Sequence, residues 1–262
     1  MNAPAFPCAP GSTWTWQGTQ VITRLITVTG LYVPSPGLVS ALAECYGAGA
    51  GGGFCVQSPG TIGGGGGGGS GGYSRTSLPA PMVAGGVNVI VGTGGSGLEN
   101  PVTLIGGPGT PTSFGSFCLA NGGLGGAGNT SGNTWGEPGE GAPVGFGDFA
   151  VPGNPGTPGT SQTLEVGVDV VGGAGGAIIG GGGIAIFAPA NAGGPGRAGQ
   201  GYAAGGGGAA VNQATLGYIG GNGAPGVCIV TEFCVATNPN TGCGCGTPNC
   251  GCARVNYAWN CC

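Results

Sequence analysis

The sequence predicts a mostly β and irregular fold, in which a β-strand-rich part adjoins a bundle of packed polyglycine or polyproline II helices. Almost no α-helix is expected, and disulfide bonds are expected to cross-link the fold. Glycine supplies 70 of 262 residues and proline 21, a density that breaks most helices. Short β-branched runs are bounded by turn residues. The glycine-rich stretches carry their side chains at every third position, and the chain contains twelve cysteines.

Composition argues against disorder and against nucleic-acid binding. Glycine and proline at this level normally indicate low complexity. Disordered chains, however, combine high net charge with few apolar residues, whereas this chain has a net charge of −4 and 40% hydrophobic residues. Its four positive charges are scattered arginines, and it has no histidine. Four scattered arginines cannot form the clustered cationic surface that nucleic acid requires, so we expect no nucleic-acid partner.

Cysteine content and the chain start together indicate a compartment. The opening residues MNAPAFPCAP lack the charged and apolar regions of a signal peptide. The best candidate for a membrane span, residues 171–188, carries no charge but is nearly half glycine, which weakens both helix formation and hydropathy, so a soluble protein is expected. Disulfides persist in secreted proteins and on virion surfaces. A protein assembled inside a cell and later released, such as a virion component, satisfies both observations.

The chain divides into four predicted parts. Trp14 and Trp16 in the first part share one face if that stretch is extended. They either pack on their own domain or insert into a partner. The parts are an N-terminal attachment arm (1–20), a β-rich part with the first glycine helices (21–120), a glycine-rich polyproline II bundle with variable loops and a closing strand (121–235), and a cysteine-rich C-terminal tail (236–262).

Strands are predicted where β-branched or alternating runs lie between glycine and proline. These runs cover residues 21–28, 39–46, 87–92, 112–120 and 226–235.

Glycine segments follow a step of three. In the stretch IGGGGGGGSGGY, which begins at Ile62, positions 64, 67, 70 and 73 fall on one line. Polyproline II has three residues per turn and no internal hydrogen bonds, so bare glycine faces would let neighbouring backbones bond to each other. The alternative is a set of flexible loops, and a continuous collagen helix is excluded because the Gly-X-Y register breaks. Six candidate helices are predicted: 47–53, 63–72, 121–128, 171–183, 193–208 and 217–226.

Two glycine motifs typical of enzymes are expected to be accidental. Residues 47–52 match GxGxxG, but no helix follows to receive a pyrophosphate. Residues 68–72 match the GxSxG elbow around Ser70, yet that chemistry needs a histidine base. Carboxylates at 137, 140 and 148 could pair as in a glycosidase, but solvated loop charges are the favoured interpretation. We expect no catalysis, no cofactor and no metal.

The cysteines are expected to form disulfides. The tail contains the pattern C-x-C-x4-C-x-C, which differs from the usual zinc spacings, although four thiolates could hold zinc. Adjacent cysteines at 261 and 262 favour separate partners, some of them on neighbouring subunits. Disulfides are also expected to dominate stability. The candidates are Cys8, Cys45, Cys55, Cys118, Cys228, Cys234, Cys243, Cys245, Cys250, Cys252, Cys261 and Cys262.

The order of motifs resembles the glycine-rich domain of bacteriophage tail-fibre and adhesin proteins over roughly residues 20–235. The motifs are Tyr32-Val33-Pro34, residues 39–53, the polyglycine run ending at Arg75, residues 87–95, Pro111-TSFGS and residues 221–233. The resemblance implies packed polyglycine II helices whose variable loops contact a host receptor. It also implies that the protein caps the end of a trimeric fibre and attaches to it through an N-terminal region. The tail after Val235 and the cysteine content depart from that pattern, which suggests a protein locked covalently into a larger assembly.

The expected function is therefore host attachment by a non-enzymatic protein of the virion surface, with other virion proteins and a host glycan or outer-membrane protein as partners. A homo-oligomer or a cap on a trimeric fibre is expected. The alternatives are a cross-linked spike, collar or capsid decoration without receptor binding, and an ice-binding or matrix protein. Residues 129–170, the longest interruption of the glycine pattern, either form a recognition tip or anchor on the lattice. The candidate tip residues are Trp135, Glu137, Glu140, Phe146, Asp148 and Phe149.

Overall fold

The computed structural model confirms a mostly β and irregular fold with almost no α-helix. In the residues that it describes, sixteen strands accompany one four-residue helix. Trp14, Trp16, Cys8 and the six tail cysteines lie outside those residues. The described ranges are 17–56, 62–97, 104–129, 134–164, 167–213 and 216–237.

Most strands are short, and three that carry the fold are long. The long ones are β1 (Gln17–Ile26), β3 (Leu38–Tyr46) and β16 (Val227–Thr237). The four-residue helix is α1 (Ala80–Val83). The other strands are β2 (Gly30–Tyr32), β4 (Ile62–Gly64), β5 (Tyr73–Pro79), β6 (Val87–Ile90), β7 (Thr112–Phe114), β8 (Cys118–Ala120), β9 (Thr134–Trp135), β10 (Phe149–Val151), β11 (Thr160–Leu164), β12 (Gly167–Val171), β13 (Phe187–Ala188), β14 (Ala192–Gly194) and β15 (Ala210–Asn212).

Two sheets pack face to face around a core of side chains. One is five-stranded, in the order β1-β16-β3-β5-β10, and the other is four-stranded, in the order β2-β6-β7-β8. Alternate residues of β3 are buried, as the two-residue period of a strand requires. Leu78, Val89 and Phe114 are among the buried side chains between the sheets. The predicted strands are present, except that 112–120 is split into β7 and β8 by a turn at Gly115, whose φ is +53°.

Beyond this sandwich, twelve glycine-rich segments of the described chain lie side by side and share backbone hydrogen bonds. In segment 47–55 every N–H donates to another segment, and the receiving segment changes with each residue. Gly47, Ala50 and Gly53 all donate to the segment that contains the seven-glycine run, with N···O distances of 2.8–2.9 Å. The hydrogen bonds therefore repeat at the three-residue step seen in the sequence. The segments are 47–55, 64–72, 91–97, 104–110, 121–129, 136–142, 153–159, 171–177, 181–186, 194–200, 203–210 and 217–226.

Three of these segments form the interior of the lattice. We call 47–55, 64–72 and 203–210 the inner segments; each bonds to the other two and to four more. The nine others, the rim segments, bond to their neighbours in an unbroken ring. This is the arrangement of close-packed rods, in which three mutually touching rods are enclosed by nine. Almost every residue of the inner segments is buried.

The seven-glycine run is explained by this position. A Cβ atom on Gly66 would lie 1.9 Å from the carbonyl oxygen of Glu137, and one on Gly67 would lie 2.0 Å from that of Ala174. Each contact is far shorter than a van der Waals separation. Eight consecutive N–H groups, at residues 65–72, donate to carbonyls of three other segments. Hydrogen bonds therefore offset the backbone entropy that the ordered glycines lose.

The boundaries of the predicted glycine helices need correction. The predicted 171–183 and 193–208 are each interrupted by a turn, because Gly180 and Gly201 have φ values of +82° and +75°, which reverse the chain. Four segments were missed, namely 91–97, 104–110, 136–142 and 153–159. The predicted parts 21–120 and 121–235 also share one sheet, since β16 lies between β1 and β3.

The prediction that disulfide bonds cross-link the fold is wrong for the described cysteines. Cys45, Cys55, Cys118, Cys228 and Cys234 are all buried free thiols. Cys45 lies opposite Cys228 on neighbouring strands, but the sulfur atoms are 3.9 Å apart. The neighbouring Cys118 and Cys228 thiols, together with burial, raise the pKa of Cys45 far above its usual range. These five side chains fill core volume and cannot reach a neighbouring subunit.

Candidate recognition surface

The lattice has two ends with different structures. At the end that we call the near end, inner segments join the five-stranded sheet directly, through β3 and β5. At the opposite, far end, the segments join two smaller sheets. One is four-stranded, in the order β14-β15-β4-β9, and the other contains β11, β12 and β13.

Small clusters of side chains close the far end of the lattice. Cys55 packs against Ala209 and Val211, and Val170 packs against Ala188 and Ala210. The Cys55 thiol lies 3.4 Å from the Gly63 carbonyl oxygen, and burial raises its pKa to about 12. Hydrogen bonding holds this region too, because the Asn212 amide donates to the Ala188 carbonyl at 3.1 Å. Packing and hydrogen bonding therefore keep the backbone of the far end in an ordered arrangement.

Large apolar side chains are exposed at this end of the lattice. Trp135 is 38% exposed, and its backbone pairs with Gly64 of an inner segment. Phe187, on β13, is 58% exposed. Leu216 and Ile219 are also exposed, the first just before and the second within segment 217–226, which bonds to Cys55. We call these four side chains the far-end surface. Aromatic and aliphatic groups presented by ordered backbone suit the binding of another molecule.

A groove of about 460 Å³ lies between two rim segments at the same end. Its lining includes Ile186, Phe187 and Arg197, and the remainder is small residues and backbone. Arg197 is exposed, and its carbonyl oxygen accepts a hydrogen bond from the inner residue Gly207. The groove thus combines an apolar wall with one cation on a rigid segment.

The predicted tip residues divide between the two ends of the lattice. Trp135 lies at the far end, but Phe149 belongs to β10 at the edge of the five-stranded sheet. Segment 136–142 runs between these positions, and at about 3.1 Å per residue it separates them by roughly 20 Å. Residues 129–170 are therefore not one exposed tip.

The near-end candidates are tied to the sandwich. The Asp148 carboxylate accepts a 2.8 Å hydrogen bond from the Ser77 N–H. The Arg75 guanidinium lies 5.2 Å from the centre of the Phe149 ring, a cation–π contact. Phe146 exchanges two 3.0 Å backbone hydrogen bonds with Leu119. These contacts support the alternative interpretation, in which the near-end residues anchor their loop.

Glu137 and Glu140 lie on the outer stripe of a rim segment. Both side chains are exposed, while their carbonyls accept hydrogen bonds from Ala127 and Leu124. The segment turns its Gly136 and Gly139 N–H groups inward toward the seven-glycine run. Three-residue spacing thus places both carboxylates on one face, in contact with solvent.

The two enzyme-like glycine motifs are parts of the lattice interior. Residues 47–52 form most of one inner segment, where the N–H groups that could receive a phosphate already donate to carbonyls. Ser70 is fully buried, and its hydroxyl accepts a 2.7 Å hydrogen bond from the Asn154 N–H. Neither motif presents a reactive group. Among the described residues, no group of three or more potential ligands could hold a metal ion.

Comparison with known proteins identifies the family. A family model described as a glycine-rich domain matches residues 27–258. The chain belongs to the glycine-rich domain family. A comparison with curated proteins finds no match to this glycine-rich domain protein. No helix in its described ranges is long and apolar enough to cross a membrane.

Sequence reasoning missed Phe187, Leu216 and Ile219 on the far-end surface. They lie in or beside stretches that the sequence predicts as glycine helices or their connections. A usable signal was present for Phe187 and Leu216, because each is a large apolar residue outside the runs in which glycine follows the step of three, whereas Ile219 lies within the predicted helix 217–226. Such interruptions mark the ends of segments, where a side chain is free to project.

Proposed function

We propose that this protein is a non-enzymatic virion surface protein of the bacteriophage tail-fibre or adhesin type, which binds a host cell surface through its far end. The observation that carries the proposal is the lattice of three inner and nine rim segments. A repeat of three residues is the one expected of polyglycine II helices, which supports this proposal. Such a bundle buries little apolar surface of its own. We infer that its role is to fix the position of the connections at its ends.

The lattice supports recognition by fixing the ends of many connections at once. Many segments end at the far end, where the apolar clusters around Cys55 and Val170 pack beneath the connections between segments. Binding residues are commonly found on loops that a rigid scaffold positions. Here the exposed Trp135 and Phe187 lie on such connections. Each belongs to a strand that pairs with residues of the lattice. A host glycan or an outer-membrane protein is the expected ligand.

The buried thiols weaken the competing architectural proposal, in which cysteines cross-link neighbouring subunits. Five of the twelve cysteines are buried free thiols, so cross-linking would depend on cysteines outside the described ranges. Recognition by the far end requires none of them. We therefore place host binding ahead of a purely structural role.

Binding of the labelled protein to a panel of bacterial strains tests the proposal. Saturable binding to some strains and not to others is expected. Replacing both Trp135 and Phe187 with alanine should weaken that binding by at least about tenfold, or roughly 1.4 kcal/mol.

Phe146→Ala is the matched control, because Phe146 is an aromatic side chain of similar exposure (46%) at the near end. It should leave binding unchanged. Absence of binding to every strain, including the natural host, would contradict host attachment. Equal weakening by the control would contradict the assignment to the far end.

A further inference from the structure

Among the strands that the structure describes, the first strand of the five-stranded sheet pairs along one edge only. β1 pairs with β16 on one side, and no described strand lies on its other side. It is ten residues long, whereas β10 at the opposite edge has three. The free edge presents a row of backbone N–H and C=O groups, which is a template for a further strand.

This edge lacks the devices that normally prevent pairing. Proteins protect long edges with lysine, proline, charged side chains or bulges. β1 contains neither lysine nor proline, and all ten of its residues pair with β16 without a register shift. Its one charge, Arg24, is directed to the buried Glu232, with Nε 3.2 Å from the carboxylate. The charge is therefore already neutralised within the subunit.

The outer face beside this edge alternates threonines with exposed apolar residues. Val21 and Leu25 are 56% and 57% exposed, and Val21 lies opposite Phe233 of β16, another exposed apolar residue. Thr19 and Thr23 alternate with them on the same face. A strand added at this edge would continue both the hydrogen-bond ladder and the apolar row.

We propose that the occupant is a second copy of this chain, whose β1 pairs antiparallel with β1 about a two-fold axis at Val21. Isologous contacts of this kind are the commonest in homo-oligomers. The axis places Val21 opposite its own copy, Thr19 opposite Thr23, and Arg24 opposite Gly18. No like charges meet, and the threonine pairs and the valine pair are favourable cross-strand combinations. The two sheets become one of ten strands, an inference independent of host binding.

Light scattering coupled to size exclusion tests this interface. The chain is measured in reductant, so that no intermolecular disulfide contributes, over a range of concentrations. The expected mass is twice the 24.5 kDa of the chain. Val21→Lys and Val21→Glu should each give the single-chain mass, because the axis sets two like charges directly opposite.

Mixing the two variants supplies the decisive observation. An equimolar mixture of Val21→Lys and Val21→Glu should recover the doubled mass, since the two opposite charges then face each other. Val28→Lys is the control, because Val28 is 74% exposed and lies outside β1; it should remain doubled. A single-chain mass for the unaltered protein at every concentration would overturn the proposal, as would a doubled mass for Val21→Lys or no recovery on mixing.

Discussion

The sandwich and the glycine lattice each form a buried core, but the sandwich core consists of side chains and the lattice core consists of backbone. The sandwich buries large side chains such as Phe114 and Leu78, and the alternation of its strands specifies which face is inside. The lattice buries backbone, and almost every residue of its inner segments is buried with its peptide groups hydrogen-bonded to other segments. The comparison teaches that a core can consist of hydrogen-bonded peptide groups, provided that no Cβ atom separates neighbouring chains.

The largest effect that the comparison predicts is at Gly66. An alanine there would place its Cβ 1.9 Å from a carbonyl oxygen in a region enclosed by six segments. Gly66→Ala should lower the free energy of unfolding by about 4 kcal/mol or more, a range reserved for severe core damage. Urea denaturation measures this loss.

The matched control is Gly181→Ala in a rim segment. A Cβ atom on Gly181 meets nothing within 4 Å. Its change should stay within about 0.5 kcal/mol. Similar effects for the two substitutions would show that contact of the added Cβ atom with a neighbouring carbonyl does not determine the loss of stability.

Removing a large side chain from the sandwich should have the next largest effect. Phe114→Ala should cost about 3–5 kcal/mol, the usual range for a buried phenylalanine. Phe149→Ala, at a half-exposed site, should cost far less. Equal costs by urea denaturation would contradict the assignment of the core to the space between the two sheets.

A smaller effect is expected at the buried carboxylate of Glu232. Burial alone raises its pKa, but hydrogen bonds from Ser35 and Tyr32 and the Arg24 charge outweigh burial, so the pKa lies below its ordinary value of 4.5. Glu232→Gln should cost about 2 kcal/mol at pH 7, as for hydrogen bonds to charged groups.

The pH dependence of this cost follows from the direction of the shift. The carboxylate of Glu232 contributes its stability above the unfolded pKa and loses it as the pH falls through the lower folded pKa. The gap between the unaltered protein and Glu232→Gln should therefore narrow as acid is added below about pH 4.5. A gap that is constant from pH 7 to pH 3 would exclude an ionised Glu232 as its source.

The smallest predicted effect is that of reductant. Because the five described cysteines are thiols, reductant should move the melting temperature of the folded core by less than about 2 °C. Calorimetry with and without reductant measures this shift. A drop of more than about 5 °C would show that cysteines outside the described ranges stabilise the core.

Much of the architecture could be predicted because each core has its own sequence period. Two-residue alternation identified β3 and β16, and the step of three identified the inner segments, where glycine is needed on every face. Rim segments were harder to recognise. Residues 136–142 and 153–159 carry glycine mainly on the inward face, at 136, 139, 153, 156 and 159, and so resemble ordinary loops.

The site was only partly predictable for a related reason. Trp135 was identified as a surface aromatic, but its separation from Phe149 depends on segment 136–142 being straight and bonded. The state of the cysteines was not readable from their even number. Cys55 and Cys234 are isolated in the core, and Cys45 meets two thiols at once. Three-dimensional neighbours decide whether cysteines pair.

Amide hydrogen exchange tests the central claim most directly. The lattice predicts continuous slow exchange for the eight amides at residues 65–72, each of which donates to another segment. In the rim segment 136–142 it predicts slow exchange at Gly136, Gly139 and Ala142 and fast exchange at Glu137, Glu140 and Gly141. Fast exchange throughout residues 65–72, or protection that alternates with a period of two, would contradict a core made of hydrogen-bonded glycine backbone.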